Sequence, residues 1–291
     1  MSHKSGFVNI LGNPNVGKST LMNAFVGEKL SIVSPKAQTT RHRILGIVNG
    51  EDFQIVYSDT PGILKPKYKL QESMMGFVNT ALSDADLLLY ITDVTEKNSF
   101  EGEYIEKIRD SGIPVIIAVN KIDLSNQADL EKIVESWQKI FPSSPVIPVS
   151  AIKNFNLDTL LNAILKKLPE GPAYFPKDQL TDKYERFFAA EIIREKILFN
   201  YQKEIPYSVE VEIESFKDED KMLRISALIH VERDSQKGII IGHRGSMLKK
   251  VGTGARIDME DFFRKKVFLE LHVRVTKDWR EKPLVLKRFG Y

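Results

Sequence analysis

The feature that most constrains this chain is a short glycine-containing stretch near its N-terminus. Residues 12–19 read GNPNVGKS, which fits the pattern G-x-x-x-x-G-K-S. An apolar run, FVNIL at 7–11, precedes the stretch, and a helical pattern, Ser19–Val26, follows it. In that context the backbone N–H groups of the turn and the helix N-terminus form a site for phosphate groups. The stretch therefore predicts a strand–loop–helix unit that binds the phosphates of a nucleotide.

Each residue type in this phosphate loop has a physical reason to be there. Gly12 and Gly17 allow the backbone to approach phosphate oxygens without a clash from a Cβ atom. Lys18 offers a positive charge to the β- and γ-phosphates, and the Ser19 hydroxyl is expected to bind a Mg²⁺ ion that bridges them. The predicted nucleotide contacts of the loop are Asn13, Asn15, Val16, Gly17, Lys18, Ser19 and Thr20.

The remainder of the first half alternates apolar runs with amphipathic segments, which predicts an α/β domain with a mostly parallel sheet and helices on both faces. The predicted strands are 7–11, 53–59, 86–93, 114–120 and 145–150. The predicted helices are Ser19–Val26, Tyr68–Leu82, Glu101–Ser111, Ala128–Phe141 and Leu157–Leu168. Residues 43–50 (RILGIVNG) are expected to pair antiparallel with the 53–59 strand, with Asn49-Gly50 as the turn.

A second polar motif, SDTPG at 58–62, ends the 53–59 strand. Ligands of such sheets bind at the carboxyl ends of the strands, so the Asp59 carboxylate is expected beside the phosphate loop, where it can hold a Mg²⁺-bound water. The Gly62 N–H group can donate a hydrogen bond to a γ-phosphate. We therefore assign Asp59 to a metal site, and Gly62 together with Lys18 to catalysis.

Two further motifs, NKID at 120–123 and VSAIK at 149–153, also follow strands. The Asp123 carboxylate can accept hydrogen bonds from guanine N1–H and N2–H₂, a pair of donors that adenine lacks. Asn120 can donate to the acceptor edge of the purine. The order and placement of the four motifs predict a GTP-binding domain. The predicted base contacts are Asn120, Lys121, Asp123, Ser150, Ala151 and Ile152.

The chain changes character at 168–182, where three prolines and a glycine stop any helix. We predict a GTP-binding domain at 1–172, a linker at 173–183 and a second domain at 184–291. The second domain shows a helix, two alternating strands, two helical stretches and a final strand. This αββααβ order predicts a smaller α+β domain, different in kind from the first.

A candidate nucleic-acid loop, Gly242-His243-Arg244-Gly245, follows the apolar run Ile239–Ile241 in this second domain, and this run can form the floor on which unstacked bases rest. A G-x-x-G loop between helices clamps about four backbone nucleotides in KH domains. The stretch Arg233–Arg256 holds six basic residues opposed only by Asp234, which suggests a polyanionic partner. The αββααβ order resembles the type II KH arrangement. The predicted RNA contacts are Arg233, Lys237, Ile241, Gly242, His243, Arg244, Gly245, Lys249 and Lys250.

Composition limits the alternatives. The chain contains no cysteine, so a disulfide framework and a thiolate zinc site are both excluded. No stretch approaches the roughly 20 apolar residues of a membrane span, and the first ten residues lack the apolar run of a signal peptide. We expect a cytoplasmic protein.

The ordered set GNPNVGKS, DTPG, NKID and SA resembles the translation-factor-related branch of P-loop GTPases. Residues 34–48 (SPKAQTTRHRILGIV) resemble the first switch of the bacterial Era family, and AAEIIREKI, EIPYSVEVEIESF and RFGY extend that resemblance over essentially the whole chain. The resemblance implies a ribosome-assembly GTPase. It would bind near the 3′ end of small-subunit ribosomal RNA in the 30S subunit and attach peripherally to the inner membrane. Apart from the resemblance, we expect a monomer.

The resemblance also implies roles for three residues. A threonine of the 34–48 loop would be the second Mg²⁺ ligand; we assign it, with its catalytic role, to Thr40, and Thr39 is the alternative. Asn15 would bind K⁺, as in potassium-stimulated relatives. Many GTPases orient the attacking water with a Gln directly after D-x-x-G, but this chain has Ile63 there. We therefore expect slow intrinsic hydrolysis, with water aligned by backbone groups or by a partner.

Two functional interpretations stay open on the sequence alone. In the first, GTP controls an RNA-binding domain. In the second, the C-terminal domain keeps the KH shape but binds a protein or an anionic membrane. A metabolic NTP hydrolase is disfavoured, because no acid/base constellation for a small substrate accompanies the phosphate loop.

Overall fold

The computed structural model describes residues 3–96 and 102–291. They form two compact units: Met1–Pro66 with Ser73–Asp182, and Lys67–Glu72 with Lys183–Tyr291. The predicted start of a helix at Glu101 lies outside the described residues. Among the helices of the described part, none has the length and apolar character that crossing a membrane requires.

The first unit is built on a six-stranded sheet with the order β2-β3-β1-β4-β5-β6. All neighbouring strands are parallel except β2 and β3. Every residue of β4 and β5 is buried, as expected of central strands covered on both faces. The predicted α/β fold is therefore confirmed. The strands are β1 (Lys4–Leu11), β2 (Ile44–Asn49), β3 (Phe53–Asp59), β4 (Leu87–Asp93), β5 (Val115–Asn120) and β6 (Val146–Pro148).

Helices connect the parallel strands of this sheet. Asn126 caps α4, because its side chain accepts a hydrogen bond of 3.0 Å from the Asp129 N–H group. Trp137 of the same helix is fully buried, with its ring centroid 5.3 Å from that of Tyr90 on β4. The helices are α1 (Lys18–Val26), α2 (Lys69–Ser83), α3 (Glu103–Asp110), α4 (Gln127–Ile140) and α5 (Leu157–Lys167).

The antiparallel hairpin is present, but the prediction that Asn49-Gly50 forms its turn is wrong. The Gly50 N–H group donates to the Phe53 carbonyl oxygen over 2.9 Å, so Glu51 and Asp52 form the tip. An Asn-Gly turn of type I′ needs a positive φ at both positions, and Gly50 lacks one. Gly50 is needed for another reason: a Cβ atom there would lie 2.1 Å from the Phe53 ring.

Residues 173–182, most of the predicted linker, follow the outer edge of β2. The Ile47 N–H group donates to the Leu180 carbonyl oxygen over 2.8 Å, and the Leu45 N–H group donates to Asp182 over 3.0 Å. The buried side chain of Gln54 accepts from the N–H groups of Tyr174 and Phe175 and donates to the Phe175 carbonyl oxygen. We call residues 173–182 the edge strap.

The second unit has the predicted αββααβ order, followed by one further short helix. Its sheet has the order β7-β8-β9, with β7 antiparallel and β9 parallel to β8. Apolar residues of α6, α7 and α8 pack on one face of this sheet. The predicted KH fold is confirmed. The elements are α6 (Glu185–Asn200), β7 (Glu210–Glu219), β8 (Met222–Val231), α7 (Asp234–Ile241), α8 (Ser246–Phe263), β9 (Lys266–Val275) and α9 (Pro283–Arg288).

Candidate functional site

The phosphate loop joins β1 to α1, as predicted, and its two glycines cannot be replaced without strain. Gly17 has a φ of 99°, and a Cβ atom there would lie 2.2 Å from Nδ2 of Asn120. A Cβ atom on Gly12 would lie 2.1 Å from the Ile91 carbonyl oxygen. The glycines are therefore fixed both by backbone conformation and by packing against the carboxyl ends of β4 and β5.

Lys18 is curled back over the phosphate loop. Its Nζ donates to the carbonyl oxygens of Gly12, at 3.0 Å, and Asn13, at 2.8 Å. Burial lowers the pKa of Lys18 to about 8, while the charges of Asp59 and Glu96 act in the opposite direction. A lysine in this state gains from an anionic ligand, since negative phosphate oxygens favour its charged form.

Ser19, Thr40 and Asp59 meet at one point beside the loop. Ser19 Oγ lies 2.6 Å from Asp59 Oδ2 and 2.9 Å from Thr40 Oγ1, and Thr40 Oγ1 lies 3.5 Å from the same Asp59 oxygen. Thr39 instead donates its hydroxyl to the Lys36 carbonyl oxygen over 2.6 Å. The structure thus brings Thr40, rather than Thr39, to the other two predicted metal ligands.

The chemistry of this cluster fits Mg²⁺. The ion prefers oxygen ligands, and all three side chains supply oxygen. Asp59 is fully buried, and its Oδ1 has no hydrogen-bond partner among the described residues. Burial raises the pKa of Asp59, against the hydrogen bond from Ser19 and the charge of Lys18. A buried carboxylate with an unpaired oxygen is stabilised by a cation placed against it.

The loop after β3 lies directly on the phosphate loop. A Cβ atom on Gly62 would lie 2.7 Å from the Cα atom of Pro14. The N–H group of Ile63 donates to the Gly12 carbonyl oxygen over 3.1 Å. A cavity of about 310 Å³ opens between the phosphate loop and the loop before β2, and its lining includes Lys18, Thr40 and Lys121. The lining also includes Asn15, Gly17, Ser19, Thr20 and Gly62.

The predicted base contacts also come together. Asn120 donates from Nδ2 to the Val16 carbonyl oxygen over 2.8 Å and accepts at Oδ1 from the Ala151 N–H group over 3.0 Å, which joins the three loops. Ser150 donates its hydroxyl to Asp123 Oδ1 over 2.5 Å. Ile152 is 73% exposed at the rim.

Three polar residues that the motifs did not include lie next to this site. Asp93 forms an ion pair with Lys121, and Glu96 accepts hydrogen bonds from Asn13 and Thr92. The three residues are Thr92 and Asp93, which end β4, and Glu96, which lies in the turn that follows. The one available signal in the sequence was their position at the carboxyl end of a strand between two motif-bearing strands.

The G-x-x-G loop of the second unit connects α7 to α8. Gly242 and Gly245 have φ values of 71° and 78°, and Arg244 has a φ of 49°. A Cβ atom on Gly242 would lie 2.7 Å from the Met247 side chain, whereas the space around Gly245 is open. His243 and Arg244 are exposed at the tip.

The expectation that Ile239–Ile241 jointly form a floor for bases is wrong for one member. These residues form the last turn of α7, so their side chains point in different directions around the helix. Ile240 is fully buried in the core, Ile239 is 48% exposed and Ile241 is half-buried. Only Ile239 and Ile241 remain at the surface.

The basic residues of this region differ in their exposure to solvent. Arg233, Lys249 and Lys250 are exposed, and Lys237 is half-buried. Lys249 also lines a groove of about 510 Å³ between α8 and β9, whose walls include Leu248, Phe268 and Leu271. The predicted RNA contacts thus lie near the start of α7, in the G-x-x-G loop and along the first turns of α8.

Two family models match the chain. One, described as a 50S ribosome-binding GTPase, matches residues 7–121, and a KH domain model matches residues 204–280. Apart from residues 67–72, the first match lies within the first unit, and the second match lies within the second unit.

Full-length relatives and solved structures resemble the whole chain. GTPase Era of Syntrophus aciditrophicus is 47% identical over 99% of this chain and 95% of its own length. GTPase Era of Staphylococcus haemolyticus is 45% identical, covering 99% and 97%. A crystal structure of Era in complex with MgGDPNP and nucleotides 1506–1542 of 16S ribosomal RNA matches with a TM-score of 0.95 and 42% identity over 99% of both chains. A variant of Aquifex aeolicus Era bound to GDP and AlF4⁻ matches equally well. On this full-length similarity, the chain belongs to the Era family of GTPases.

Proposed function

We propose that this protein is a Mg²⁺-dependent GTP switch that controls binding to the 3′ end of small-subunit ribosomal RNA during assembly of the 30S subunit. The observation that carries the proposal is that one chain holds a phosphate loop and a KH-type G-x-x-G loop. A full-length structural relative was crystallised with both MgGDPNP and a 16S RNA segment. We expect it to act in the cytoplasm as a monomer.

At the phosphate end, we assign Lys18 to the β- and γ-phosphates and the Gly62 N–H group to the γ-phosphate. Ser19, Thr40 and Asp59 would hold the Mg²⁺ ion, which neutralises charge on the phosphates when bound. The short distances among these three side chains support this assignment.

At the base end, we assign the purine edge to Asn120 and Asp123, with Ser150 and Ala151 near guanine O6. The hydrogen bond from Ser150 fixes one oxygen of Asp123, and the bonds of Asn120 to two neighbouring loops fix its amide. A pre-positioned carboxylate discriminates strongly, because a base without matching donors would leave it unpaired.

Hydrolysis should be slow in the isolated protein. Ile63 has no side-chain group that can orient water, and its N–H group is already bonded to the phosphate loop. Phosphoryl transfer depends mainly on positioning and on charge stabilisation, so a cation at Asn15 or a bound partner would supply what the side chain lacks.

In the second unit, we assign RNA contact to the G-x-x-G loop and the basic residues around it. Positive φ values at Gly242 and Gly245 permit a tight turn that a nucleotide backbone can approach. The family model that matches the first unit is described as a 50S ribosome-binding GTPase, but it covers residues 7–121 only. The relative that spans both units was solved with 16S RNA, so we propose the small subunit as the partner.

Two experiments test these assignments on the full-length protein. For the nucleotide, Asp123→Asn should lower the affinity for GTP and raise it for xanthosine triphosphate, because Asn can donate to the oxygen that xanthine carries at position 2. For the RNA, a labelled segment of the 3′ end of 16S RNA should bind in the presence of a GTP analogue. Affinity should fall steeply with salt, as Lys and Arg release counterions from phosphates.

A matched pair of variants separates the two readings of the KH unit. Gly242→Asp with Gly245→Asp should abolish RNA binding, whereas Asp218→Asn, on β7 away from the loop, should not. If the double variant is folded and still binds RNA normally, the RNA assignment fails. Retention of the variant on anionic vesicles or on a protein partner would then favour the docking interpretation.

A further inference from the structure

The carboxyl end of β4 lies between the two halves of the nucleotide site, yet no sequence motif includes it. β4 is the neighbour of β1, which leads into the phosphate loop, and of β5, which leads into NKID. The last residues of β4 and the turn that follows direct one carboxylate to each of these loops. We call Thr92–Glu96 the β4 clamp.

One carboxylate of the clamp faces the base side. Asp93 pairs in register with Asn120, and its Oδ2 lies 2.5 Å from the Lys121 ammonium. Its Oδ1 accepts from the N–H group of Thr95, at 2.7 Å, and from the Thr95 hydroxyl, at 2.6 Å. The Asp93 side chain is 3% exposed. A buried carboxylate held by three donors is a fixed anchor for the lysine.

Lys121 combines this anchor with an uncommon backbone conformation. Its φ of 59° places it in the left-handed region, which a residue with a Cβ atom adopts at some cost in energy. With the ammonium held by Asp93, the four-carbon stem is fixed as an apolar surface over which a purine ring can lie. Because the anchor already restricts the Lys121 side chain, nucleotide binding costs less conformational entropy.

The other carboxylate faces the phosphate side. Glu96 Oε1 accepts from Nδ2 of Asn13 over 2.9 Å, and Oε2 accepts from the Thr92 hydroxyl over 2.6 Å. The Asn13 carbonyl oxygen is in turn an acceptor for the Lys18 ammonium. Glu96 therefore fixes Asn13, the second residue of the phosphate loop, and helps to hold Lys18.

We propose that the β4 clamp is a nucleotide-positioning element, in which Asp93 holds Lys121 against the purine and Glu96 holds Asn13 against the phosphates. This inference rests on the nucleotide site proposed above. Neither carboxylate is expected to touch the nucleotide, so both are positioning residues that act through another side chain.

The clamp should change binding rather than chemistry. Lys121 would contact the base equally in the ground state and in the transition state for phosphoryl transfer. Losing such uniform binding raises KM and leaves kcat unchanged. A purely structural role of Asp93 would instead reduce the active fraction and lower the apparent kcat at unchanged KM.

The first test compares Asp93→Asn and Glu96→Gln with Glu106→Gln in the full-length protein. Glu106 is exposed on α3, and its substitution makes the same change in net charge. We expect Asp93→Asn to weaken GDP binding about tenfold and to raise the KM for GTP by a similar factor, which matches the loss of one charge-assisted hydrogen bond. Glu96→Gln should weaken GDP binding less, since Gln can still accept from Asn13. Glu106→Gln should behave as wild type.

Double-mutant cycles test whether each carboxylate acts through the partner named. Asp93→Asn should add nothing to the loss caused by Lys121→Met, and Glu96→Gln should add nothing to that caused by Asn13→Ala, because a positioning residue has no effect once its target is gone. Additive losses in both cycles would overturn the proposal.

A comparison of GDP with IDP separates the effect of the β4 clamp from that of Asp123, which is assigned to the purine edge. Asp93→Asn should weaken GDP and IDP binding by the same factor, because the lysine stem does not contact the 2-amino group by which the two differ. A changed GDP-to-IDP ratio would mean that Asp93 acts on Asp123 instead, and would contradict the clamp.

Should Asp93→Asn prove unfolded by circular dichroism, Thr95→Val replaces it. Thr95 is exposed, and this change removes one of the donors that hold Asp93. It should raise the KM for GTP in the same direction by a smaller factor. Wild-type KM and GDP affinity in whichever variant folds would overturn the clamp. If Asp123→Asn also leaves GDP binding unchanged, the nucleotide site itself is misassigned; if Asp123→Asn weakens it, only the clamp fails.

Discussion

At the scale of single residues, Asn15 combines an unusual conformation with a position at the mouth of the phosphate cavity. Its φ is 66°, and its Nδ2 donates to the Pro35 carbonyl oxygen over 2.9 Å in the loop before β2. The side-chain amide is thus oriented by a contact with the loop that carries Thr40. An amide oxygen held in place beside the proposed phosphate site is a suitable ligand for a monovalent cation.

We predict that GTP hydrolysis is severalfold faster in potassium chloride than in sodium chloride at equal ionic strength, and that Asn15→Ala removes the difference. The physical reason is that a cation there would offset transition-state charge, since no arginine is among the described residues that line the cavity. Steady-state phosphate release in the two salts measures the effect. Equal rates for the wild-type protein would rule out the cation role.

His230 is a second residue with a defined consequence. It is buried on β8, with Nε2 3.0 Å from Glu212 Oε2 and Nδ1 2.8 Å from the Thr276 hydroxyl. A neutral ring satisfies both contacts, donating at Nε2 and accepting at Nδ1. Burial lowers the pKa of His230 and Arg274 acts in the same direction, whereas Glu212 and Glu210 oppose the shift.

Because the pKa is lowered in the folded state, the unfolded chain takes up a proton first as the pH falls through about 6.5. The free energy of unfolding should therefore decrease between about pH 7 and about pH 5.5, above the range in which carboxylates titrate. His230→Gln should flatten this slope, and His272→Gln, at an exposed position on β9, should not. Urea titrations at several pH values measure it, and an unchanged slope in His230→Gln would refute the assignment.

At the scale of elements, the edge strap depends on one buried side chain. Gln54 of β3 is fully buried and makes four hydrogen bonds: it donates to Asn49 Oδ1 and to the Phe175 carbonyl oxygen, and it accepts from the N–H groups of Tyr174 and Phe175. Gln54 therefore gives the backbone of the strap the hydrogen-bond partners that a neighbouring strand would otherwise provide.

We predict that Gln54→Ala lowers the free energy of unfolding by about 2–3 kcal/mol, because it leaves buried backbone groups unpaired. The strap should also open locally, so trypsin should cleave faster after Lys177. The control is Gln127→Ala, on the exposed start of α4, which should change neither quantity. Chemical denaturation and timed proteolysis provide the two measurements, and wild-type stability in Gln54→Ala would contradict this view of the strap.

The same elements show what the sequence could and could not predict. β3 was predicted at its observed bounds, because an apolar run that ends in a polar motif has one consistent reading. The hairpin turn was misplaced because Asn49-Gly50 has strong turn propensity, whereas the close approach of the Phe53 ring to Gly50 depends on three-dimensional packing. For the same reason, only the helical geometry of α7 reveals that Ile240 is buried while its neighbours are not.

The candidate site was predictable to the extent that chemistry is concentrated in motifs. Ser19, Thr40 and Asp59 come from three separate segments, and they meet because each segment lies at the same edge of the sheet. Asp93 and Glu96 were not predicted, since a lone carboxylate after a strand has many structural uses. Only the pairing of β4 with β1 and β5 gives these carboxylates their partners.

At the scale of the whole molecule, the proposed GTP switch requires thermodynamic coupling between the nucleotide site and the RNA site. If GTP changes the affinity for RNA by some factor, RNA must change the affinity for GTP by the same factor. We predict that the Kd for a non-hydrolysable GTP analogue decreases when the 3′ segment of 16S RNA is present, by the factor by which the analogue lowers the Kd for RNA. Isothermal titration calorimetry in both orders measures this, and two independent affinities would exclude a switch.

The edge strap also determines how the first unit behaves when separated from the second. β2 is the outermost strand of its sheet, and residues 173–182 occupy its hydrogen-bonding edge. A chain ending at residue 172 would expose a row of unpaired N–H and C=O groups, the kind of surface along which protein chains add to one another. We expect this fragment to self-associate in size-exclusion chromatography, while a fragment ending at residue 182 elutes as a monomer. The ten residues that precede the KH unit would then act as a guard against aggregation.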